Sequence, residues 1–510
     1  MRANNLILEN DIYLKMKILI VIFSIFSIPA IAQFPDTAYI FTYGGVSYDH
    51  SREIQSTNDG GYILVGSTGS FGNGSSDIYL LKIDSACSLQ WSKAIGGNEV
   101  EWGYSVKQTF DNGFIIAGYT NSYGAGGYDV YLVKTDSLGD TVWTKSYGGE
   151  DWDLGYSVQQ TSDSGFVICG ETYSFGSGNT DVYVIKTNKT GDTTWTRTIG
   201  GINKDMGYSI IITNDSNYVI VGETSSFGLD SSDVYLIKLN KNGDTMWTKT
   251  YGGNGIDVGY NLDNTSDNGL ILIGSTNSFT SGVGMEAYMI KTDSMGGTLW
   301  TQLHGTGFDI TGSAIKQLPD DGFVIGGTSM SGGLGGKGLY IVKTNSIGGW
   351  QTSAIFGDVQ DEEGYSITLG NTGEILFAGT TTSYGYGNEE IYLIKVDTLV
   401  ASYTLEIDST LDNLSPPPMM SIQSFKKTES IKVYPNPFKV STSIIISQEI
   451  LQRKNIRFLI FDLLGNKLFQ INEINTSPLT VFKGALKPGI YIYTLAENET
   501  PLSSGKLIIY

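Results

Sequence analysis

The chain has 510 residues, of which 65 are glycine and 16% are charged, and its formal net charge at pH 7 is −20. This negative charge argues against a nucleic acid partner, because phosphate binding requires a basic surface. The low charged fraction and the 12% aromatic content exclude a disordered chain and are typical of an all-β extracellular protein. The length allows two or three domains.

The N-terminus has the pattern of an export signal. Two lysines around Met16 precede the apolar run 18–28, and an Ala-Ile-Ala sequence follows at 30–32. This order is typical of a signal peptide with an A-x-A cleavage site. We predict a signal peptide over residues 1–32, with Met16 as the true start. No stretch approaches the roughly 20 apolar residues that a membrane span needs, so we expect an exported, soluble chain without a transmembrane segment.

A unit of 52 or 53 residues recurs seven times between residues 33 and 403. Each copy carries a tyrosine followed three residues later by a lysine: Tyr79/Lys82, Tyr131/Lys134, Tyr183/Lys186, Tyr235/Lys238, Tyr288/Lys291, Tyr340/Lys343 and Tyr392/Lys395. In the second copy, apolar alternation between turn signals predicts four strands, at about 104–109, 114–120, 129–135 and 141–147.

The connections in each copy are of two kinds. Asp-Asn-Gly at 111–113 and Asp-Ser-Leu-Gly at 136–139 predict tight turns in which glycine takes a positive φ. The other two connections are longer and rich in glycine. Each copy should therefore have one face with tight turns and one with loose, variable loops.

Four strands in a repeat of this length indicate a β-propeller blade. A parallel solenoid is the structural competitor, but the two ends of the array argue against it. Residues 35–45 align with 139–149, so the mature chain begins with a lone fourth strand in which Tyr39 stands where other copies have tryptophan. The seventh copy lacks that strand. We predict a seven-bladed β-propeller over 33–403, closed by the N-terminal strand as the outermost strand of the last blade.

An acidic residue stands two positions before the glycine position that opens the first strand in six copies. These residues are Asp49, Glu101, Asp153, Asp205, Asp257 and Glu362, while the sixth copy has Ile310 there with Asp309 beside it. If the first strand lines the central channel, the carboxylates circle its mouth and favour a cation such as Ca²⁺, with Asp205, Asp257 and Glu362 as candidate metal ligands. Alternatively, each carboxylate caps its own glycine loop by accepting backbone N–H bonds.

Aromatic residues occupy the same loops in the early blades only. They are Tyr48, His50, Trp102 and Trp152, next to the carboxylates of Asp49, Glu101 and Asp153. Aromatic rings beside carboxylates suit stacking on sugar rings with hydrogen bonds to hydroxyl groups. We predict a ligand-binding site from these seven residues. Alternatively, the rings pack on the neighbouring loop.

Other features recur in nearly every copy and are expected to be structural. The other loose loop carries an aromatic anchor at Phe71, Tyr123, Phe175, Phe227, Phe279 and Tyr384. We expect the strand lysines either to pair with the strand acids or to extend along the blade ends. Those acids are Asp77, Asp129, Asp181, Asp233, Glu286 and Glu390.

An enzyme on the same fold is the alternative function. Only two histidines occur, His50 and His304, so the chain offers few candidates for a general base or a metal ligand. A glycosidase would need two carboxylates set apart from the repeat. The nearest such group is Asp358, Asp361, Glu362 and Glu363, which otherwise forms a solvated loop. We assign no catalytic residue from the sequence.

The repeat stops near residue 397, and composition changes beyond it. Residues 404–424 contain Pro-Pro-Pro and indicate a linker. Residues 425–510 are poorer in glycine, and their alternating apolar runs at 456–462, 489–495 and 505–510 predict a separate small β-sandwich.

Four sequence blocks in this last domain carry a resemblance: Val-Tyr-Pro-Asn-Pro-Phe at 433–438, Phe-Asp-Leu-Leu-Gly-Asn-Lys at 461–467, Leu-Lys-Pro-Gly-Ile-Tyr at 486–491 and Gly-Lys-Leu-Ile-Ile-Tyr at 505–510. Together they resemble the type A C-terminal sorting domain of type IX secretion cargo. The matching positions are Tyr434, Pro435, Asn436, Pro437, Phe438, Gly465, Gly489, Tyr491 and Lys506. The resemblance implies recognition by the outer-membrane type IX translocon and its sortase, removal of the tail, and attachment to surface lipopolysaccharide or release.

The repeats themselves are similar to uncharacterised glycine-rich repeat proteins that often precede this tail and have no single agreed activity. Cargo and tail are separable modules, so the tail does not define what the cargo does. We expect a secreted or cell-surface propeller that binds a glycan or a protein through its loose-loop face. A carbohydrate-active enzyme, either a glycoside hydrolase or a lyase, is the alternative, and a structural surface protein is the third possibility.

Overall fold

The structure is a computed structural model in which two separate parts of the chain are described. They are residues 38–396 except 230, 281–283, 306–308, 331–335, 359, 386 and 387, and residues 431–509 except 435–440, 447, 454–455, 462–466, 472–473, 475–478, 483–485, 488 and 498–499. The chain divides into two compact units, Met1–Leu405 and Glu406–Tyr510. The predicted signal peptide and linker lie outside the described residues.

The described part of the first unit contains seven four-stranded antiparallel sheets, which we call blades. The strands of each blade are named inner, second, third and outer. The inner strands pack against one another around the ring.

The strand bounds follow the repeat. Blade 1 is β2 (Asp49–Ser56), β3 (Tyr62–Thr68), β4 (Asp77–Ile83) and β5 (Leu89–Ile95); blade 2 is β6 (Glu101–Gln108), β7 (Phe114–Thr120), β8 (Asp129–Thr135) and β9 (Thr141–Tyr147); blade 3 is β10 (Asp153–Gln160), β11 (Phe166–Thr172), β12 (Asp181–Thr187) and β13 (Thr193–Ile199). Blade 4 is β14 (Asp205–Ile212), β15 (Tyr218–Thr224), β16 (Asp233–Leu239) and β17 (Thr245–Tyr251); blade 5 is β18 (Asp257–Asn264), β19 (Leu270–Thr276), β20 (Glu286–Thr292) and β21 (Thr298–His304). Blade 6 is β22 (Ile310–Gln317), β23 (Phe323–Ser329), β24 (Gly338–Thr344) and β25 (Trp350–Phe356); blade 7 is β26 (Glu362–Leu369), β27 (Ile375–Thr381), β28 (Glu390–Val396) and, as its outer strand, β1 (Ala38–Tyr43).

The N-terminal strand closes the ring as the sequence predicted. Strand β1 pairs antiparallel with β28, and Tyr39 lies opposite Lys395. On the other side of the closure, β2 packs against β26 and β27. The Tyr43 hydroxyl donates to the Cys87 carbonyl of blade 1 at 2.6 Å, just as the Tyr147 hydroxyl donates to the Gly191 carbonyl of the following blade at 2.5 Å. The tyrosine of the closing strand therefore makes the same hydrogen bond to the next blade as the tyrosine of an outer strand that directly follows its own blade in the chain.

Hydrophobic packing between blades explains the outer-strand tryptophan that lies opposite the strand lysine in blades 1–5. The second and third strands are buried along nearly their whole length, whereas the outer strands are partly exposed. The outer-strand Trp143 packs on the next blade, with its ring 6.0 Å from that of Phe166. A Cβ added to Gly191 in that blade would lie 2.8 Å from the Trp143 ring, so the turn must be glycine there.

One prediction about the tight turns is wrong in detail. In the turn at 111–113 the positive φ belongs to Asn112, at 62°, and not to the glycine. A Cβ on Gly113 would lie 2.2 Å from the Thr135 carbonyl oxygen, so glycine is needed there for close approach to the third strand. The turn at 136–139 has the predicted positive φ at Gly139, 78°.

The strand lysines do not pair with the strand acids. Each Lys Nζ lies 2.8–3.5 Å from a carboxylate in the turn between the inner and second strands, in the pairs Lys82–Asp59, Lys134–Asp111, Lys186–Asp163, Lys238–Asp215, Lys291–Asp267, Lys343–Asp320 and Lys395–Glu374. The reason is geometric: the lysine is the sixth residue of the third strand, whereas the strand acid is its first residue, at the opposite end of the blade.

The second unit is a small β-sandwich, as predicted. One sheet contains β29 (Ile431–Tyr434), β30 (Ser441–Ile446) and β33 (Leu479–Phe482). The other contains β31 (Ile456–Phe461), β32 (Lys467–Ile471), β34 (Gly489–Glu497) and β35 (Thr500–Ile509), and a short helix α1 spans Gln448–Leu451. Buried residues of both sheets, among them Ile444 and Phe458, form one hydrophobic core.

Candidate binding site at the channel mouth

A β-bulge in every inner strand places one side chain in the central channel. In blade 2 the pairing shifts between Gly103 and Ser105, and the same shift recurs in the other six blades. A bulge re-aims its extra residue. The bulged residues are Arg52, Tyr104, Tyr156, Tyr208, Tyr260, Ser313 and Tyr365, and all of them line a cavity of about 900 Å³. This volume lies within the range of small-ligand sites.

Aromatic contacts connect the channel tyrosines of neighbouring blades. The ring centroids of Tyr104 and Tyr156 lie 5.1 Å apart, those of Tyr156 and Tyr208 5.6 Å, and those of Tyr208 and Tyr260 5.5 Å. Ser313 in blade 6 interrupts the series, and its hydroxyl donates to the Gly364 carbonyl at 2.7 Å. The bulged residues of the channel lining are therefore tyrosine in blades 2–5 and 7, serine in blade 6 and arginine in blade 1.

Two buried carboxylates fix this tyrosine layer. The Tyr156 hydroxyl donates to Glu171 at 2.6 Å and the Tyr208 hydroxyl donates to Glu223 at 2.8 Å. Lys204 pairs with Glu223. Burial raises the pKa of Glu171, against the opposing hydrogen bond from Tyr156. These acids are thus engaged within the layer.

Arg52 replaces the channel tyrosine in blade 1, and aromatic rings surround it. Its guanidinium carbon lies 4.2 Å from the Tyr365 ring centroid, 5.3 Å from that of Trp102 and 5.4 Å from that of Tyr104. Cation–π contacts of this kind hold a guanidinium without neutralising it. The Arg52 Nε is buried and has no hydrogen-bond partner among the described residues.

Charged groups next to Arg52 form a small cluster. Glu363 accepts hydrogen bonds from Lys337 and from the Tyr365 hydroxyl. Glu389 Oε2 lies 3.4 Å from His50 Nε2. Burial, followed by the Arg52 charge, lowers the pKa of His50 to about 4. Because His50 is neutral at pH 7, its contact with Glu389 is not an ion pair there.

The two carboxyl groups of this cluster have opposite pKa shifts. Burial and the Glu363 charge raise the pKa of Glu389, although Arg52 and Lys337 act in the other direction. Burial would also raise the pKa of Glu363, but the hydrogen bonds from Lys337 and Tyr365 outweigh it and lower the value. Glu389 is therefore the weaker acid of the two and Glu363 the stronger.

A continuous series of rings, the aromatic strip, runs from this cluster over blades 1–3. Its centroid distances are 5.0 Å for His50–Trp102, 6.3 Å for Trp102–Tyr119, 4.9 Å for Tyr119–Tyr128, 5.4 Å for Tyr128–Trp152 and 6.2 Å for Trp152–Tyr173. Trp102 and Tyr119 are nearly parallel, at 7°. Trp152 is 52% exposed.

The structure thus unites three of the predicted aromatic residues, His50, Trp102 and Trp152, in one surface. Tyr48 is half exposed, its backbone bridges to Glu389, and its ring contacts no other ring among the described residues. The rings of the strip pack on one another, as the alternative interpretation expected, yet Trp152 also presents half of its surface to solvent.

The predicted acidic ring does not circle the channel mouth. Asp49, Glu101, Asp153, Asp205, Asp257 and Glu362 have 0% exposure, and none of them lines the cavity. Each caps the link from the preceding blade. Asp153, for example, accepts hydrogen bonds from the Gly149 amide and the Ser174 hydroxyl, both at 2.7 Å. The carboxylates turn away from the channel because the loop amides they accept from lie on the opposite side.

The caps of blades 1–5 also face an acid of the preceding blade. A Cβ on Gly148 would lie 2.0 Å from Asp129 Oδ1 and 2.7 Å from Asp153 Oδ2, so both carboxylates flank this glycine. Burial, and then the Asp153 charge, raise the pKa of Asp129 against a hydrogen bond from Ala125. Within the described parts of the chain, however, no group of three or more His, Cys, Asp or Glu side chains is placed to hold a metal ion. The calcium prediction for Asp205, Asp257 and Glu362 therefore gains no support, and capping engages both oxygens of Glu362 and the Oδ2 atoms of Asp205 and Asp257, whose Oδ1 atoms are buried without a partner among the described residues.

The acidic group of the seventh copy separates into different roles. The Asp358 amide donates to Glu362 at 2.9 Å, and the Thr381 hydroxyl donates to the same side chain at 2.8 Å, so Glu362 is a cap. Asp361 accepts from the Lys337 amide at 2.9 Å. Of the four residues, Glu363 is the one that lines the cavity.

Sequence reasoning missed Arg52, Tyr119, Tyr128, Lys337 and Glu389. Each departs from what its sister copies carry at the same position. Tyr119, for example, stands where other copies have Ser67, Glu171, Glu223, Ser275, Thr328 and Thr380, and Arg52 stands among tyrosines and one serine. A position-by-position comparison of the seven copies would have identified them.

The sorting positions fall in the second unit. Tyr434 lies in β29, Gly489 pairs with Ile509, and Lys506 pairs with Ile492. The Tyr491 hydroxyl donates to the Lys487 carbonyl at 2.7 Å. Pro435, Asn436, Pro437, Phe438 and Gly465 lie outside the described residues.

The architecture is that of a seven-bladed β-propeller unit together with a C-terminal β-sandwich. Residues 432–510 match the family described as the secretion system C-terminal sorting domain. This match supports the assignment as type IX secretion cargo, which implies interaction with the type IX machinery and export to the cell surface or the extracellular space. Among the described residues, no helix has the length and apolar character needed to cross a membrane.

No curated protein matches the chain. Several solved structures are similar at low scores. Sqt1 from Chaetomium thermophilum is 10% identical with a TM-score of 0.39, covering 67% of this chain and 83% of its own. Endo-1,5-alpha-L-arabinanase from Thermotoga petrophila RKU-1 is 10% identical with a TM-score of 0.27, and the match covers 70% of this chain and 99% of the arabinanase. Beta-1,2-mannobiose phosphorylase from Listeria innocua is 7% identical with a TM-score of 0.26, and the match covers 71% of this chain and 92% of the phosphorylase. At these TM-scores the neighbours carry no argument about the function of this chain.

Proposed function

We propose that this exported protein binds a glycan at the channel mouth, with the aromatic strip and the adjoining cavity as its site. The observation that carries the proposal is the series of four rings, Trp152, Tyr128, Tyr119 and Trp102, that leads from the half-exposed Trp152 to Arg52 at the cavity. Aromatic rings with a few convergent polar groups are the usual make-up of a saccharide or other small-ligand site.

The fold does not require these rings. The inner-strand position of Trp102 is held by Met206 in blade 4 and Val258 in blade 5, and the position of Trp152 is held by Ile256. Those blades have the same four strands and the same caps. The tyrosines and tryptophans of blades 1–3 therefore supply something that the ring itself does not need.

Binding of the full chain to a panel of polysaccharides and oligosaccharides tests this proposal. The double variant Trp102→Ala/Trp152→Ala should lose at least about thirtyfold in affinity, because a hot-spot aromatic is worth about 2 kcal/mol or more. The matched variant Val258→Ala/Ile256→Ala alters the same two positions on blade 5, where neither residue lines the cavity, and should leave binding unchanged. Equal effects of the two double variants, or no saccharide binding by the wild type, would contradict the proposal.

Glycan cleavage is the second candidate function, because Glu363 and Glu389 share one cluster and have opposite pKa shifts. Environments that separate the pKa values of two carboxyl groups are typical of an acid and a base in one site. Release of reducing ends from any bound saccharide would favour this function. Glu363→Gln and Glu389→Gln should then each lower turnover by about a hundredfold or more without abolishing binding, whereas binding without turnover removes it.

A further inference from the structure

We propose that the ligand is an acidic saccharide and that Arg52 binds the carboxylate of one of its uronate residues. This inference rests on the proposed glycan-binding function and names its substrate class. Three features of the site support it: the absence of a direct ion pair at Arg52 in the described part of the chain, the surroundings of Arg52, and the contact between Arg52 and the aromatic strip.

The first feature is that other charges lining the cavity are already paired. Lys107 pairs with Glu53, and Lys316 lies 2.8 Å from Asp263. Glu363 pairs with Lys337. Among the described residues that line the cavity, Arg52 is the one cation with no carboxylate within ion-pair distance. The lining therefore contains one guanidinium that no described carboxylate contacts directly, at the level of the tyrosine layer, although Arg52 still acts through its charge on Glu363 and Glu389.

The second feature is the way Arg52 is held. Three aromatic rings have their centroids within 5.4 Å of the guanidinium carbon, and the buried Nε–H has no acceptor in the described parts of the chain. The neighbouring carboxyl groups are engaged elsewhere: Glu363 accepts from Lys337 and Tyr365, and Glu389 contacts His50. An unpaired guanidinium that is fixed in position matches the bidentate geometry of a carboxylate.

The third feature favours a saccharide over an acidic peptide. The Arg52 guanidinium carbon lies 5.3 Å from the centroid of the Trp102 ring, which is nearly parallel to Tyr119, so the cation adjoins the aromatic strip. A sugar ring that stacks on the strip would place its next residue in the cavity. A chain of uronate sugars supplies both the stacking face and the charge in one repeating unit, whereas an acidic peptide supplies the charge alone.

Affinity measurements on the full chain test the inference. The probes are trimers of galacturonate, of alginate uronates and of hyaluronan-type disaccharide units, each beside its methyl ester, which keeps the rings and removes the charge. The wild type should bind at least one acid form about tenfold to a hundredfold more tightly than its ester, because hydrogen bonds to a charged group are worth about 1.5–3 kcal/mol. Arg52→Gln should remove this preference and leave ester binding unchanged.

Arg197→Gln is the matched control. Arg197 also lies over a tryptophan, 5.3 Å from the Trp195 ring, but on the outer strand β13 and away from the cavity. This variant should keep the full preference for the acid. Arg52→Lys retains the charge but not the planar fork, so it should retain only part of the preference. Thermal melting of each variant confirms that the propeller is folded.

The outcomes separate this inference from the function on which it rests. If the ester and the acid bind with equal affinity, and that affinity depends on Trp102, the uronate assignment is overturned and glycan binding stands. An Arg52→Gln variant that keeps the preference would overturn the role of Arg52. Hexaglutamate bound as tightly as the best uronate trimer would overturn the saccharide class, and failure of every saccharide to bind would overturn both proposals.

Discussion

Blades 1–3, the binding sector, and blades 4–6, the opposite sector, have the same strand framework and different surface residues. At the second position of the inner strand, blades 1 and 2 carry His50 and Trp102, whereas blades 4 and 5 carry Met206 and Val258. At the bulge, blade 1 has Arg52 and blade 6 has Ser313. The caps and the lysine pairs, in contrast, recur in both sectors. The repeated residues build the blade, and the residues that break the repeat form the candidate site.

The largest expected effect tests whether the caps are equally structural in the two sectors. Asp153→Ala in blade 3 and Asp257→Ala in blade 5 each remove a buried carboxylate that accepts an amide and a serine hydroxyl. We expect each to lower the free energy of unfolding by about 2 kcal/mol, measured by urea denaturation at pH 7.

The Asn variants at both positions keep one acceptor and should lose less. Per folded molecule, saccharide affinity should be unchanged by any of the four substitutions. A loss of stability in the Asp153 variants alone, or a fall in saccharide affinity larger than the fraction of unfolded protein explains, would show that the Asp153 cap contributes to binding.

A smaller and pH-dependent effect concerns the turn acids. Burial alone would raise the pKa of Asp163 and of Asp267. Hydrogen bonds from a threonine and a lysine outweigh burial and lower the pKa of each to about 2. Because the folded pKa lies below the ordinary value near 4, each pair stabilises the fold above about pH 4, and this contribution is lost as the pH falls through about 2.

Asp163→Asn and Asp267→Asn should therefore each destabilise the protein by less than about 1 kcal/mol at pH 7, since both carboxylates are well exposed. The difference from wild type should shrink between pH 4 and pH 2 in thermal melts. Unequal losses in the two blades, or a difference that grows as the pH falls, would contradict the account.

The smallest expected effect is that of calcium. With the caps engaged by loop amides and hydroxyl groups, thermal melting in millimolar Ca²⁺ and in excess chelator should give midpoints within about 1 °C of each other. The same comparison on Asp153→Ala serves as the control, because loss of a true ligand would remove any shift. A calcium-dependent rise of several degrees in the wild type would restore the predicted metal site.

The repeat predicted most of the fold because its physics is local. Turn signals and alternating apolar residues gave three strands of blade 2 with the bounds observed, and only β6 begins earlier, at Glu101. Closure by the first strand followed from the unequal ends of the array and is confirmed by the pairing of Tyr39 with Lys395. The tail was predicted from its motifs and matches the sorting domain family.

The site could be predicted only in part because it joins residues that are far apart in the chain. His50 and Trp102 were predicted, but Glu389 reaches His50 from the last blade, across the closure of the ring. The bulge that turns Arg52 into the channel leaves no distinct signature in one copy taken alone. The sequence left a channel ring and loop capping open for the repeated carboxylates, because it gives the strand that carries a carboxylate but not the side to which its side chain turns; the structure shows capping.

The most direct test of the central claim is a crystal structure of the full chain with a uronate trimer bound. We predict electron density for sugar rings along Trp102 and Trp152, with a carboxylate within hydrogen-bond distance of Arg52. Sugar density on blades 4–6 instead, or on the face with the tight turns, would contradict the account.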